Sequence, residues 1–371
     1  MPDIEALNGV AAGSIEAVNG VAKADIQAIN GCGVPASGAS LWCVAAEDGG
    51  IATAAASDLN DWTGYDATGL SNQDHITLAY GKDGSGGPLW VVGTQDGNRE
   101  IRYSADPTDG ADWSDVNIAG DVFGVAWGNN VWVAVGQSGE VHRSTNGTSW
   151  TQLDLSGVTG YDTNVQIWDV ASDGAGKWMF SQAEKIFMST NDGSTWAMVT
   201  DLGDASGLNI GTGFTSTSVA YTAGRWSVFL YRNSAAATLV CHAAAADTSA
   251  WAVATLDGSA LSGVNLIAKT ARRMAAGGGT VIIVQSNAIA RSTNGGQDFT
   301  RTNGTLPRVD ARDVASDGQG TWIAVHDSGR VSVNASDGAP GSWAEQTGGQ
   351  LTFPSGTENI EAVASNVLLP T

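Results

Sequence analysis

Seven polar residues recur at one position of this chain. Four or five residues after an apolar anchor (Trp42, Trp90, Trp132, Trp178, Trp226, Val281 and Trp322) come Glu47, Gln95, Gln137, Gln182, Tyr231, Gln285 and His326, with Asp48, Asp96, Arg99, Glu140, Asp327 and Arg330 adding charge nearby. Amides and acids gathered in a ring could read sugar hydroxyls or hold a partner loop, although the same residue types also populate β-turns for local reasons. Other chemistry is harder to assemble. His75, His142, His242 and His326 have no second ligand at metal spacing and read as strand or turn residues, so neither a metal nor a cofactor is expected. With 38 Asp and Glu, any two carboxylates could be nominated as a glycosidase pair, and no catalytic residue is singled out.

The elements that would position such a ring are legible as repeats. Residues 122–155 form the clearest unit: four short apolar runs cut by Asn-Asn, Gln-Ser-Gly and Asn-Gly, the pattern of a four-stranded antiparallel meander. An aliphatic-Ala pair marks each first strand, at Leu78-Ala79, Val125-Ala126, Val170-Ala171, Val219-Ala220, Met274-Ala275, Val314-Ala315 and Val363-Ala364. The anchors named above mark each second strand. An aromatic residue opens each fourth strand, at Trp62, Trp113, Trp150, Trp196, Trp251, Phe299 and Trp343, so twelve of the 14 Trp fall on two repeat positions. All three counts give seven, and the fold class that follows is all-β, a seven-bladed β-propeller. Trp42 and Trp62 lack a preceding aliphatic-Ala pair while Val363-Ala364 lacks a following Trp, so residues 358–368 are expected to complete blade 1 and remove both open edges.

The turn before the fourth strand carries a signature. Ser189 to Trp196 (STNDGSTW) resembles the Asp-box, or BNR repeat, with Asn at the usual Asp position; Ser144 to Trp150 and Ser292 to Phe299 are close variants. The Asx side chain is expected to accept an N–H two residues on, and Gly to supply a positive φ. The resemblance implies the propeller fold over about residues 38–371 but no activity, because Asp-boxes occur in sialidases, sorting receptors, photosystem assembly factors and many secreted or viral proteins. The Arg-Ile-Pro motif of sialidases is absent, and Arg143 and Arg291 directly precede the box Ser, a frequent position in non-catalytic boxes. The expectation is therefore that the chain is not an enzyme.

A formal charge of −21 with five Lys repels nucleic acid and anionic membranes, so neither is expected as a partner. Three Cys (Cys32, Cys43, Cys241) give no disulfide framework. The first residues lack the basic end and apolar core of a secretory leader, and no run is long enough to span a bilayer.

Residues 1–33 stand apart. An eleven-residue pattern occurs three times, beginning at Asp3, Ser14 and Asp25 and ending in Asn8-Gly9, Asn19-Gly20 and Asn30-Gly31. Each copy reads as one short helical turn with an N-cap residue and an Asn-Gly stop. Its apolar set, Ile4, Leu7, Val10, Ile15, Val18, Val21, Ile26 and Ile29, needs an outside surface to cover it, and residues 34–40 form the linker to the ring. Such tandem I-x-x-[LIV]-N-G-V-A elements resemble the N-terminal segments of structural proteins of tailed phages. That resemblance implies a non-enzymatic virion protein, docked on other virion proteins or on copies of itself through residues 1–33, made in the host cytoplasm, and displaying the propeller for host attachment, including to a cell-surface glycan, or for decoration. A protein-assembly scaffold and a sialidase-like glycoside hydrolase are the alternatives.

Overall fold

The computed structural model describes residues 40–367 apart from 67–73, 96–99, 119, 205–207, 209, 211, 233–236, 258, 261–272, 286–287, 303–305, 308–309, 347–349, 355 and 357, together with six two-residue strands before residue 34. No described helix is long and apolar enough to cross a membrane.

Seven sheets follow one another, each built on four antiparallel strands, here a to d, which run in sequence order in blades 2 to 7. The a strands are Asp74–Lys82, Val122–Gly128, Val170–Ser172, Thr215–Thr222, Met274–Gly277 and Ala311–Ser316 in blades 2 to 7. In blade 1 strand a comes from the far end of the chain: Ile360–Ser365 pairs antiparallel with strand b, Leu41–Ala46, so that Val363 faces Val44 and Ser365 faces Trp42. The ring is closed by that pairing, as expected. Successive a strands touch in cyclic order from blade 1 round to blade 7 and back, and they line the axis.

Strand order fixes two faces. Turns a–b and c–d lie on one side, the turn face; turns b–c and the d-to-a crossovers lie on the other, the crossover face. Two-residue a–b turns use left-handed residues, as at Asn129 (φ 49°) and Asn130 (φ 60°), the twist a tight hairpin requires.

The strand-b Trp are the wedges between blades. All six are at most 2 % exposed, and Val281, which takes the seventh place, is 1 % exposed. One core cluster joins Val131, Val133 and Val135 of blade 3 to Val170, Trp178 and Phe180 of blade 4; another joins Ile323 and Val325 of blade 7 to Trp42, Val44 and Ile360 of blade 1. A buried Trp contributes at most about 4–6 kcal/mol, from roughly 150–250 Å² at about 25 cal/mol per Å². No single blade covers these rings, so the stack is the folding unit.

Blade 6 departs from the plan. Its sheet has six strands, because Thr255–Leu256 pairs in parallel with Asp298–Phe299 of strand d and Ser259–Ala260 adds outside it.

The c–d turns are held by their own side chains. In blade 3, Asn146 Oδ1 accepts from Thr148 N (3.0 Å) and Ser149 N (2.9 Å), Ser144 Oγ accepts from Gly147 N (2.8 Å), and Trp150 Nε1 donates to Gly147 O (3.0 Å). Blades 4 and 6 repeat the scheme with the Asn bond reaching four residues on, to Thr195 N and Asp298 N, because an extra left-handed residue widens the turn.

The N-terminal repeat differs from expectation. Ala6–Leu7, Ala17–Val18 and Ala28–Ile29, expected within helical turns, pair antiparallel with Val10–Ala11, Val21–Ala22 and Cys32–Gly33. The cause is the two-residue Asn-Gly connection, which favours a tight hairpin twist over a helix stop. Leu7, Val10, Val18, Val21 and Ile29 lie on these pairs, whereas Ile4, Ile15 and Ile26, with the N-cap residues, fall outside the described residues.

Candidate functional site: the axis of the ring

The residue just before each aliphatic-Ala pair faces the next blade. These residues are Thr77, Gly124, Asp169, Ser218, Arg273, Asp313 and Ala362. Where that residue can accept a hydrogen bond, it takes the amide of the next blade's aliphatic landmark. Thr77 Oγ1 accepts from Val125 N (3.3 Å), Asp169 Oδ2 from Val219 N (3.0 Å), Ser218 Oγ from Met274 N (3.1 Å) and Asp313 Oδ2 from Val363 N (3.0 Å). Gly124 contributes by lacking a side chain, since a Cβ there would lie 2.8 Å from Asp169 Cα and block the close approach of blades 3 and 4.

Arg273 crosses the axis. From the start of blade 6 its guanidinium donates to Phe123 O (2.6 Å) and Ile76 O (3.1 Å) and, at 3.4 Å, to Trp168 O, and it lies 3.6 Å from Asp169 Oδ1. One side chain thus ties blade 6 to blades 2, 3 and 4 and closes the crossover-face end. Both axial carboxyls are largely desolvated, and burial pushes their pKa values up against the pull of the Arg273 charge, that of Asp313 to about 7. Because the folded state holds this proton more tightly than the unfolded chain, the Asp313 contribution to stability is complete below about pH 4 and is lost as pH rises to about 7. Asp313→Asn retains an acceptor for Val363 N and removes the charge. Its melting temperature is expected to exceed that of the parent at pH 8 by a few degrees and to match it at pH 4, measured by calorimetry across that range; a gain at pH 4 alone would contradict the assignment.

The opposite end is open. On the turn face a cavity of about 620 Å³ is rimmed by the residues that follow each Ala landmark, among them Tyr80, Trp127, Ser172, Tyr221, Ser316 and Ser365. Tyr80 leans on Trp90 (centroids 5.0 Å apart) and Tyr221 on Trp226 (4.7 Å), which fixes both rings.

The seven residues expected to form a reading ring are on the crossover face but do different things. Gln182 is buried; its Nε2 donates to Asp162 O (2.7 Å) and Val165 O (2.8 Å) and its Oε1 accepts from Asp162 N (2.9 Å), so it clamps the blade 3 to blade 4 crossover. His326 is buried too, with Nε2 2.9 Å from Ser332 Oγ. Both are withdrawn from the surface. Glu47 accepts from Asn359 Nδ2 (2.9 Å), bracing blade 1 to the closing segment. Gln95, Gln137 and Tyr231 are half-buried, Gln137 opening a tight turn over Gln137–Gly139; the side chain of Gln285 is outside the described residues. Of the charges beside them, Asp327 pairs with Arg312, and Arg330 with Glu345 at 2.8 Å.

Several further ionisable groups brace the blades or lie buried within them. Arg143 Nε donates to Asp192 O (2.7 Å) and Arg291 pairs with Asp337 (2.9 Å), so each joins its own c–d turn to that of the next blade. Burial, with Arg102 and Arg225 adding repulsion, pushes His75 down to about 3 and His242 down to about 4, keeping both imidazoles neutral. Cys43 and Cys241 are buried free thiols, that of Cys241 pushed up to about 12 by desolvation. Among the described residues no three His, Cys, Asp or Glu side chains group as metal ligands.

The fold defines a seven-bladed β-propeller with a pinned axis and one open mouth. No protein-family model and no curated protein matches the sequence. Solved structures do. A GH74 xyloglucanase from Xanthomonas campestris superposes with a TM-score of 0.59 at 14 % identity, over 84 % of this chain and 53 % of the xyloglucanase, so this chain spans about half its length. YCF48 from Cyanidioschyzon merolae (TM-score 0.49, 13 % identity, 74 % of this chain and 84 % of that one) and BamB from Moraxella catarrhalis (0.47, 15 %, 84 % and 89 %) are also similar. At such identities the likeness is one of fold alone.

Proposed function

We propose that this chain is a non-enzymatic structural protein of a tailed-phage virion, anchored through residues 1–33 and displaying the propeller for attachment to a host surface or for decoration. The observation that carries the reading is the division at Ser40. All seven blades are built from strands within residues 41–365, and blade 1 is sealed where Leu41 N donates to Asn366 Oδ1 (2.7 Å) and Asn366 N to Leu41 O (2.9 Å). In this reading the three tandem repeats stand outside the ring and serve assembly. A non-catalytic role is supported by the use of the axial carboxyls Asp169 and Asp313 as acceptors for backbone amides of the next blade. The c–d turns, read as Asp-boxes with Asn in place of Asp, serve as blade staples in this scheme.

Removing residues 1–33 is expected to leave a folded, monomeric ring with the melting curve of the full chain, which no longer joins its assembly. Light scattering and calorimetry on both forms test this. Unfolding of the shortened chain would refute the division, and an assembly that still formed would refute the anchoring role.

A further inference from the structure

We infer that the turn-face mouth of the axis is a binding site for a neutral saccharide. The mouth offers the two surfaces a pyranose presents in reverse. Tyr80, Trp127 and Tyr221 come from three different blades and supply aromatic faces for the apolar C–H side of a sugar ring, and the small landmark residues Ala79, Ala126, Ala275, Ala315 and Ala364 leave room between them. Hydrogen-bonding groups stand round the same cavity: Asn130, Asp173, Ser316 and Ser365, and the two phenols. Burial pushes the phenols of Tyr80 and Tyr221 above their ordinary range, which already lies well above neutral pH, so each keeps an O–H to donate. Ser365 Oγ accepts from Val367 N (3.1 Å), which leaves its proton directed elsewhere.

Charge selects among sugars. The described residues lining the mouth include Asp173 as the one carboxylate and no Lys, Arg or His, in a chain of net charge −21. An acidic saccharide would meet repulsion and find no cation, whereas a neutral hexose or N-acetylhexosamine carries no charge to be repelled and can use the aromatic, hydroxyl, amide and carboxylate groups of the lining. The cavity, about 620 Å³, lies within the usual size of a small-ligand site, roughly 300–1,000 Å³.

This inference deepens the display reading and rests on it only for the saccharide's origin at a cell surface. It is tested on the full chain by saturation-transfer NMR with the methyl glycosides of glucose, galactose, mannose and N-acetylglucosamine, with sialyllactose as the acidic probe. The expected result is transfer to at least one neutral glycoside and none to sialyllactose. In Trp127→Ala, affinity for that glycoside falls at least ten-fold. Should Trp127→Ala fail to fold, Ala276→Phe fills the mouth from blade 6 without removing a packed ring and is expected to abolish the transfer. Silence with all four neutral probes overturns the site, as does binding untouched by both variants. A proline-rich peptide that binds the mouth in place of the sugars would likewise overturn it in favour of a protein ligand. Loss of sugar binding in a chain whose assembly still depends on residues 1–33 defeats the site alone; sugar binding without that dependence defeats the virion reading alone.

Discussion

Arg273→Ala is expected to lower the melting temperature at pH 7.5 by several degrees and by much less at pH 4.5. The substitution strips one cation from a largely desolvated pocket holding Asp169 and Asp313 and leaves the carbonyls of Ile76 and Phe123 without their donor. Breaking a buried ion pair by removing one partner typically costs about 3–5 kcal/mol, which for a ring of this size corresponds to roughly 4–7 °C. The pH dependence follows from sign. Burial already raises both carboxyls, and losing the Arg273 charge raises them further, so at pH 4.5 Asp313 is neutral in the variant, Asp169 is shifted toward its neutral form, and much of the uncompensated charge disappears. Calorimetry at both pH values checks this. An equal loss at both would mean that the guanidinium acts only through its hydrogen bonds to carbonyls. Arg273→Lys should recover little, because a point charge on a flexible stem cannot reach three blades with fixed geometry.

Deleting residues 358–371 should have the larger effect. It removes strand Ile360–Ser365, and with it the partner of Leu41–Ala46, the contact of blade 1 with both neighbouring a strands, and the acceptor-bound amide of Val363. One unpaired edge results, on Leu41–Ala46, and the packing faces of blades 2 and 7 that the strand covers are laid open, all rich in buried aliphatic residues. The expected outcome is loss of the monomer peak in size-exclusion chromatography with light scattering and loss of a single cooperative melting transition. A truncated chain that stayed soluble with an unchanged melting curve would show that the closing strand is ornamental.

The architecture was legible because two of its positions are written in conspicuous residues. The strand-b Trp cannot be replaced by smaller side chains without voids between blades, so their spacing survives in the sequence, as does the Ala that must fit the crowded axis. Even the odd order of landmarks around Trp42 and Val363-Ala364 predicted the closure. The polar axis was not legible. Its seven positions hold Thr, Gly, Asp, Ser, Arg, Asp and Ala, a set without shared chemistry until the next blade's amide is seen beside it. The fixed offset, one residue before each aliphatic-Ala pair, was the available signal. Arg273 sits at that offset within no recognisable motif, although it reaches further across the ring than any other side chain described above.

The reading-ring positions show the converse limit. Gln182 and His326 fell on a regular offset and looked alike, yet burial decides their roles, and burial at a strand end depends on how the neighbouring crossover folds back. For the Asn-Gly repeats, the pattern suited both a helix stop and a hairpin, and with only two or three residues on either side local propensity had little to arbitrate with.

The seal of blade 1 also fixes head-room. Strand b begins and strand a ends on the turn face, with Ser40 and Asn366 side by side and Val367 on the rim of the mouth. Were residues 1–33 the anchor, as proposed above, a tether of seven residues, 34–40, would span no more than about 25 Å even when fully extended. In that arrangement a short oligosaccharide or the free end of a longer one would have clearance to reach Trp127, and a bulky folded glycoprotein would not. On that proposal the geometry of attachment would act as a size filter on what the mouth takes.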